Sequence, residues 1–202
     1  MNEFRQIIKR IVLVLAYIPV LPLIIITRLG DSFGNDDFFT ACACFLALLP
    51  GKTGSFLRLA YYRCTLESVS PDVFIGFGSY FSRRGAVLGR NVSIGAYCIL
   101  GDVTLEDRVL LASRVSITSG KRQHAQRYDI ENPSEDMIFD RVTIGRESWI
   151  GEGAIIMADV GERSIVSAGS VVSREMPAGR IIAGNPARVL QEVQSQPSMK
   201  SI

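Results

Sequence analysis

The chain contains one histidine, His124, which lies in a mostly polar segment spanning residues 118–140. Imidazole has the side-chain pKa closest to neutral, so it can take a proton from an attacking hydroxyl and return one to a leaving group. Such a base needs an orienting partner, either a main-chain carbonyl or a carboxylate of the same segment, namely Asp129, Glu131 or Asp136. Residue type alone leaves the role open, because a lone loop histidine is more often a solvated surface residue.

Other chemistries have little support in the sequence. The four cysteines (Cys42, Cys44, Cys64 and Cys98) form no CxxC pair and have no companion histidines, so we predict reduced thiols, with no zinc site and no disulfide framework. The net charge of +2 does not indicate a nucleic-acid partner. A zinc enzyme with three histidine ligands is excluded because the chain has one histidine.

A six-residue rhythm surrounds the polar segment and must position it. In residues 142–156, VTIGRESWIGEGAII, the aliphatic residues Ile144, Ile150 and Ile156 lie six apart, and glycine follows the first two. Six residues fit a short strand plus a tight corner, and three such units make one triangular coil of a parallel β-helix. Leu88 and Ile94 are also six residues apart. After a slip of one residue, the spacing of six continues from Leu105 to Ile117, and it occurs again between Val166 and Val172. A shortened corner is expected at 158–161.

The first 66 residues differ from the rest and are predicted to be helical. Residues 11–27 form an uncharged apolar run that contains Pro19 and Pro22, expected to kink a helix, and basic residues flank it. A cleaved signal peptide, a buried helical cap and a membrane anchor are all compatible with the run, although no small-residue cleavage site follows it. Basic residues at both ends favour a re-entrant or interfacial anchor with both ends in the cytoplasm.

Two further segments complete the expected domain organisation. Residues 53–63 have a basic amphipathic pattern, with Lys52, Arg58 and Arg63, which fits either contact with anionic headgroups or a cap on the open end of the β-helix. We expect the β-helix domain to span 67–190 and to end in a turn, a short strand and a short C-terminal helix. A flexible tail is expected over 191–202.

Three elements in order carry a family resemblance: the His124 loop, VTIGRESWIGEGAII and SAGSVVSREMPAGRIIAGNPARVL. Over about residues 70–190 the chain resembles the hexapeptide-repeat acyltransferases, in the branch of sugar and polysaccharide O-acetyltransferases. The resemblance implies a left-handed parallel β-helix, within an all-β dominated fold, and a homotrimer with active sites between neighbouring subunits. The apolar N-terminus resembles that of a membrane-attached branch of the family.

The resemblance also assigns roles to particular residues. It implies that His124 is the general base, that the backbone amide of Glu152 contacts the oxyanion, and that no metal takes part. The donor implied is acetyl-CoA, bound by Trp149, Gly151, Ala168, Ser173, Arg174 and Arg188. Arg174 and Arg188 would contact its phosphates. Without the family resemblance, we would interpret the two arginines as exposed surface residues. Trp149 would be interpreted as an aromatic side chain packed on the outside of a coil.

The function predicted is O-acetyl transfer from acetyl-CoA to a sugar hydroxyl of a surface-glycan precursor, directly within a ternary complex. The acceptor is a soluble or lipid-linked sugar at the cytoplasmic side of a bacterial inner membrane. Two alternatives stay open: a non-catalytic trimeric scaffold in a glycan-assembly complex, and an acetyltransferase for a non-sugar acceptor such as serine.

Overall fold

The computed structural model describes residues 3–32, 36–119 and 140–193. Within these ranges three helices come first, α1 (Glu3–Ser32), α2 (Asp37–Ala47) and α3 (Gly51–Thr65), and the strands come after them. The strands are β1 (Ser68–Val69), β2 (Phe74–Ile75), β3 (Tyr80–Phe81), β4 (Val87–Leu88), β5 (Ser93–Ile94), β6 (Ile99–Leu100), β7 (Val103–Leu105), β8 (Leu110–Leu111), β9 (Ser116–Ile117), β10 (Val142–Ile144), β11 (Trp149–Ile150), β12 (Ile155–Ile156), β13 (Ile165–Val166), β14 (Val171–Val172), β15 (Arg180–Gly184) and β16 (Ala187–Glu192).

The strands form the three faces of a prism. Face A has the order β1-β4-β7-β10, face B the order β2-β5-β8-β11-β13-β15-β16, and face C the order β3-β6-β9-β12-β14. Every pairing is parallel except that of β15 with β16. The inward side chains of successive coils stack in one buried aliphatic column, from Ile75 through Ile94 and Ile150 to Val166. The predicted parallel β-helix is confirmed.

Two of the three corners repeat without exception. At the A–B and B–C corners, the inward residue of one strand and that of the next are always six residues apart, as for Leu88 and Ile94 or Ile150 and Ile156. Three residues after the inward residue the backbone takes a positive φ at all of these corners except the first, where Asp72 holds the position; the φ of Arg108, for example, is 60°. A side chain in this conformation costs about 1 kcal/mol or more. Glycine holds the equivalent position at some corners, including Gly153.

All the irregularity lies at the C–A corner. Here the inward residues are seven apart from Phe81 to Leu88, five apart from Leu100 to Leu105, and four apart from Ile156 to Val160. Val160 is 1% exposed and forms parallel bridges with Ile144 below and Met176 above. The shortening expected at 158–161 therefore falls at residues 157–159, before Val160, and the polar segment 118–140 leaves the prism along the same edge.

The predicted C-terminal helix is wrong, because residues 187–192 form β16. This strand pairs antiparallel with β15 around the cis peptide bond Asn185–Pro186. The last coil would otherwise present an unpaired strand edge, and pairing those backbone groups outweighs the helical propensity of Arg188 to Val193. Within β16 only Ala187 is buried. The tail expected from residue 191 overlaps β16 by two residues.

The first coil is closed by the helices. Within α3 the buried residues include Ser55, Arg58 and Tyr62, and each meets the backbone of the first coil. The Ser55 hydroxyl accepts the Ile75 N–H (3.4 Å), and the Tyr62 hydroxyl accepts the Phe81 N–H (3.3 Å). Burial raises the pKa of Tyr62, which therefore stays neutral. Of the two interpretations of residues 53–63, the cap is the one that these contacts support.

Arg58 is fully buried and is the central contact of this cap. Its guanidinium donates to the Ile75 carbonyl from Nε (3.3 Å) and Nη2 (3.1 Å), and from Nη1 to the carbonyls of Leu46 (3.0 Å) and Leu49 (2.7 Å). One side chain thus joins the carbonyls of Leu46, in the last turn of α2, and Leu49, just after it, to face B. The expectation that Arg58 faces lipid headgroups is wrong, because four hydrogen bonds bind it inside the protein. Lys52 and Arg63 are exposed.

Helix α1 forms an outer layer on α2 and α3. It continues through Pro19 and Pro22. By length and composition it can cross a membrane, with residues 7–30 having a mean hydropathy of 2.4, although the core helix of a soluble protein or a signal sequence meets the same criterion. Its buried side includes Leu13, Val20 and Thr27, whose hydroxyl bonds that of Tyr61 (2.8 Å).

The Arg58 contacts give a stability prediction. We expect Arg58→Met to lower the free energy of unfolding by about 3 kcal/mol, because it leaves the buried Ile75 carbonyl and the half-buried Leu49 carbonyl without these donors. Arg63→Met is the matched control on the exposed side of the same helix and should cost less than about 1 kcal/mol. Denaturant unfolding followed by circular dichroism in mild detergent measures both. Equal stability of the two variants would contradict the capping role.

Candidate functional site

The proposed base lies in the part of the chain outside the described residues, together with Asp129, Glu131 and Asp136. The structure fixes the two ends of its segment at the C–A corner. Ser119, at the exit, is buried and its hydroxyl accepts the Asp102 N–H at 2.8 Å. At the return, Arg141 forms an ion pair with Glu67. The segment that carries His124 therefore begins and ends on a rigid edge between β9 and β10.

Gly151, Glu152 and Ala168 come together at the B–C corner. The N–H of Gly151 donates to the Val166 carbonyl at 2.7 Å, and the carbonyl of Glu152 accepts the Gly169 N–H at 2.8 Å. A Cβ on Gly151 would lie 2.5 Å from the Ala168 nitrogen, so only glycine lets the two coils approach this closely.

Free backbone amides form a column along this corner. In the described part of the chain, the N–H of Glu152 has no acceptor, and the same holds for Ser113 one coil below and Ala168 one coil above. Glu152 and Ala168 are exposed residues and Ser113 is half-buried, so the column lies at the surface of the prism. The sequence pointed to the Glu152 amide alone; the other two share its position, two residues after an inward aliphatic residue.

The side chains around this column define its surroundings. The Glu152 carboxylate accepts from Nε of Arg114 at 3.1 Å, and this partner raises the pKa of Arg114. Trp149, 49% exposed, stands on face B between Leu110 and Ile165, its register partners in the coils below and above. An exposed indole, an ion pair and three free amides thus lie within adjacent coils.

The remaining predicted site residues lie elsewhere on the chain. Ser173 and the exposed Arg174 follow β14 and occupy the C–A corner, on the edge from which the His124 segment emerges. Arg188 is exposed on β16, opposite Ala183, and its Nη1 donates to the Ala187 carbonyl at 3.1 Å. Face C separates Arg174 from Glu152 within one chain, so a single protomer does not gather these residues into one pocket.

A buried serine ladder at the A–B corner was not predicted. Ser148 and Ser164 point inward; the Ser148 hydroxyl donates to the Gly161 carbonyl (3.0 Å) and accepts the Ser164 N–H (3.1 Å), and the Ser164 hydroxyl donates to the Pro177 carbonyl (3.1 Å). The signal was present in the sequence, because each serine lies four residues after an inward aliphatic residue. These contacts join successive coils.

The described residues thus define a parallel β-helix with a column of free amides at one corner and a long insertion at another, and comparisons with known proteins agree with this class. The chain is 30% identical to the putative acetyltransferase YJL218W of Saccharomyces cerevisiae, over 75% of this chain and 70% of that protein. It is 30% identical to the galactoside O-acetyltransferase of Escherichia coli, over 63% of this chain and 62% of that enzyme, which is less than two thirds of the enzyme's length.

Two other comparisons extend this result. The chain is 28% identical to the putative lipopolysaccharide biosynthesis O-acetyl transferase WbbJ of Escherichia coli, over 67% of this chain and 79% of that protein. A galactoside acetyltransferase structure in complex with coenzyme A superposes with a TM-score of 0.64 at 25% identity, over 76% of this chain and 78% of that one. No protein-family model matches the chain. The chain belongs to the hexapeptide-repeat acetyltransferases, as the sequence resemblance predicted.

The close approach at the B–C corner gives a second prediction. Gly151→Ala should lower the free energy of unfolding by about 3 kcal/mol, because its Cβ meets the backbone of the coil above. Gly153→Ala is the matched control: its Cβ has open space, and only its positive φ of 68° costs about 1 kcal/mol. The denaturation midpoints of the two variants measure the difference. A Gly151→Ala protein no less stable than Gly153→Ala would show that the coils can separate freely at this corner.

Proposed function

We propose that the protein is an acetyl-CoA-dependent O-acetyltransferase that acts on a sugar hydroxyl. The observation that carries the proposal is the column of free amides at Ser113, Glu152 and Ala168, beside Trp149, on a fold shared with an acetyltransferase solved with coenzyme A. The pantetheine arm of coenzyme A contains amide carbonyls that accept hydrogen bonds, so a column of N–H donors suits it.

The proposed chemistry is a direct transfer. The acceptor hydroxyl oxygen attacks the thioester carbonyl, the new C–O bond forms, and the C–S bond breaks to release coenzyme A as its thiol. His124 takes the hydroxyl proton and returns it to the sulfur, while the Glu152 amide donates to the oxyanion. Cys98 is poorly suited to act as a covalent nucleophile, because it is buried and burial raises its pKa.

A homotrimer completes the proposed site. Outward side chains on faces B and C are apolar and exposed, including Phe74, Leu110 and Trp149 on face B and Ile99 and Ile155 on face C. Contact between these faces of neighbouring copies removes that apolar surface from water. It also brings a B–C corner against a different edge of the next subunit, which is how His124 and the Glu152 amide come to act on one substrate.

Arg174 and Arg188 are proposed to hold the phosphates of the donor. Both are exposed, and guanidinium groups bind phosphate through paired hydrogen bonds. Arg188 lies on the outermost strand of face B, beyond the coil that carries Ala168. The adenosine end of the donor would therefore lie toward the C-terminal end of the prism, and the thioester toward Glu152.

The acceptor is proposed to be a sugar in a surface-glycan precursor at the cytoplasmic face of the membrane. Two of the named relatives act on sugars or lipopolysaccharide according to their names, which supports a glycan hydroxyl over serine. The apolar outer side of α1 supports attachment to the membrane that holds lipid-linked precursors.

His124→Ala tests the proposed mechanism. We expect acceptor-dependent release of coenzyme A thiol to fall by about 10²-fold or more, because the hydroxyl then has no base. The assay uses acetyl-CoA with methyl galactoside and, separately, with a lipid-linked glycan extract. Gln123→Ala, the adjacent residue, is the control and should retain activity.

Calorimetry with acetyl-CoA separates failure of the mechanism from failure of the function. Saturable binding by the wild type and by His124→Ala, with turnover lost only in the latter, is the expected result. Turnover retained by His124→Ala would exclude His124 as the base. No saturable binding by the wild type would favour the non-catalytic scaffold.

Arg174→Ala tests the phosphate contacts. Losing a charge-assisted hydrogen bond should weaken acetyl-CoA binding by about 10-fold or more, while S-acetylpantetheine, which lacks phosphates, should bind as before. Arg146→Ala is the control, because Arg146 pairs with Glu162 at the A–B corner. Equal loss of affinity for both donors would place Arg174 away from the phosphates.

A further inference from the structure

Helix α1 has two apolar sides, and the protein covers only one. Leu13, Ala16 and Val20 are buried against the other helices. The opposite side carries aliphatic residues at helical spacing that are 43–70% exposed, namely Ile7, Ile8, Ile11, Val14, Leu15, Ile18, Leu21, Ile25 and Leu29, with Ile26 at 41%. This stripe is about 33 Å long, at 1.5 Å per residue. Phe38 and Phe45 on α2, and Leu48 directly after it, are exposed as well.

A cation lies beside the middle of this helix. Arg63, on the exposed side of α3, donates from Nη1 to the hydroxyl of Tyr17 at 2.9 Å. Tyr17 is near the centre of the span 7–30 that could cross a membrane. If α1 crossed a bilayer, this guanidinium and the polar cap of the β-helix would lie at the level of the hydrocarbon core, where a charged side chain is strongly disfavoured.

Basic and polar residues follow one edge of the stripe. Arg10, Tyr17 and Arg28 are spaced by seven and eleven residues, which places them on the same edge of the helix. Arg28 reaches inward to the Cys64 carbonyl at 2.7 Å, and Arg10 is exposed. A flat aliphatic face with a basic edge matches the acyl chains and anionic headgroups at the surface of a bilayer.

We infer that α1 lies in the plane of an anionic lipid surface, with the stripe among the acyl chains, and does not cross the membrane. The inference deepens the proposed membrane attachment but rests on the helix contacts, independently of catalysis. Lipid is favoured over a second copy of the chain because the stripe is aliphatic throughout, whereas the cores of protein interfaces are enriched in aromatic residues and arginine. Since α1 packs on the cap helices, the first coil faces the membrane and Gly151 lies three strand spacings, about 14 Å, farther along the stack.

Depth-dependent fluorescence quenching tests the orientation. Trp149 is the one tryptophan in the sequence, so full-length Trp149→Phe protein gives a background in which Ile7→Trp, Ile18→Trp or Leu29→Trp reports a single depth. The probe is vesicles of phosphatidylcholine and phosphatidylglycerol with bromine at defined positions of the acyl chain. All three positions should be quenched at the same shallow depth, near the headgroup boundary.

Two results would overturn the inference. Deep quenching at position 18 with shallow quenching at 7 and 29 would show a spanning helix. Quenching at none of the three positions, whether or not the protein forms larger oligomers, would show that lipid does not cover the stripe.

Vesicle binding of an Arg10 variant tests the contact between the basic edge and the lipid headgroups. Arg10→Gln should weaken binding to vesicles containing phosphatidylglycerol by about fivefold and leave binding to pure phosphatidylcholine unchanged. Arg90→Gln, whose guanidinium pairs with Asp107 at the A–B corner, should change neither. Equal binding of Arg10→Gln and wild type to the anionic vesicles would remove the headgroup contact from the proposal.

Discussion

The backbone groups at the two ends of the β-helix are the constraint on which the rest of the structure depends. Within the stack each strand pairs with the coils above and below, but the first and last coils have one unpaired side. At the last coil β16 pairs with β15. At the first coil Arg58, Ser55 and Tyr62 donate to or accept from backbone groups of Ile75 and Phe81, so the cap is a set of specific hydrogen bonds as well as an apolar contact. Because α1 packs on this cap, closing the β-helix also fixes the direction in which the aliphatic stripe faces.

The three corners of the prism differ in how regular their length is. The A–B and B–C corners are held to one length by inward side chains, a left-handed backbone position and close coil contacts such as that of Gly151 with Ala168. Their regularity places the free N–H groups of Ser113, Glu152 and Ala168 at the same position of three successive coils, near Trp149. One coil further down, the equivalent Ala96 N–H donates to the Ser113 hydroxyl. The C–A corner has no fixed length, and it is where the His124 segment is inserted and where Arg174 lies. A regular corner that carries the free amides and a corner of variable length thus occur on one prism, and we propose that association of copies brings them together.

The sequence predicted the features that depend on local periodicity. The hexad spacing identified the coils, and the ten-residue spacing from Ile156 to Val166, in place of twelve, indicated a shortened corner. What it missed depends on long-range pairing: residues 187–192 became a strand because the last coil needed a partner, and Arg58 was buried because three carbonyls converge on it. A basic amphipathic pattern cannot distinguish an arginine that caps backbone carbonyls from one that faces headgroups. The placement of His124 relative to the Glu152 amide stays a prediction.

An experimental structure of the assembled protein with acetyl-CoA bound would test the proposed site most directly. We expect a trimer in which the thioester carbonyl oxygen lies about 2.7–3.1 Å from the Glu152 nitrogen. His124 should lie on the acceptor side of the same cleft, and the donor phosphates near Arg174 and Arg188. A donor bound at the A–B corner, or a thioester distant from both Glu152 and His124, would contradict it.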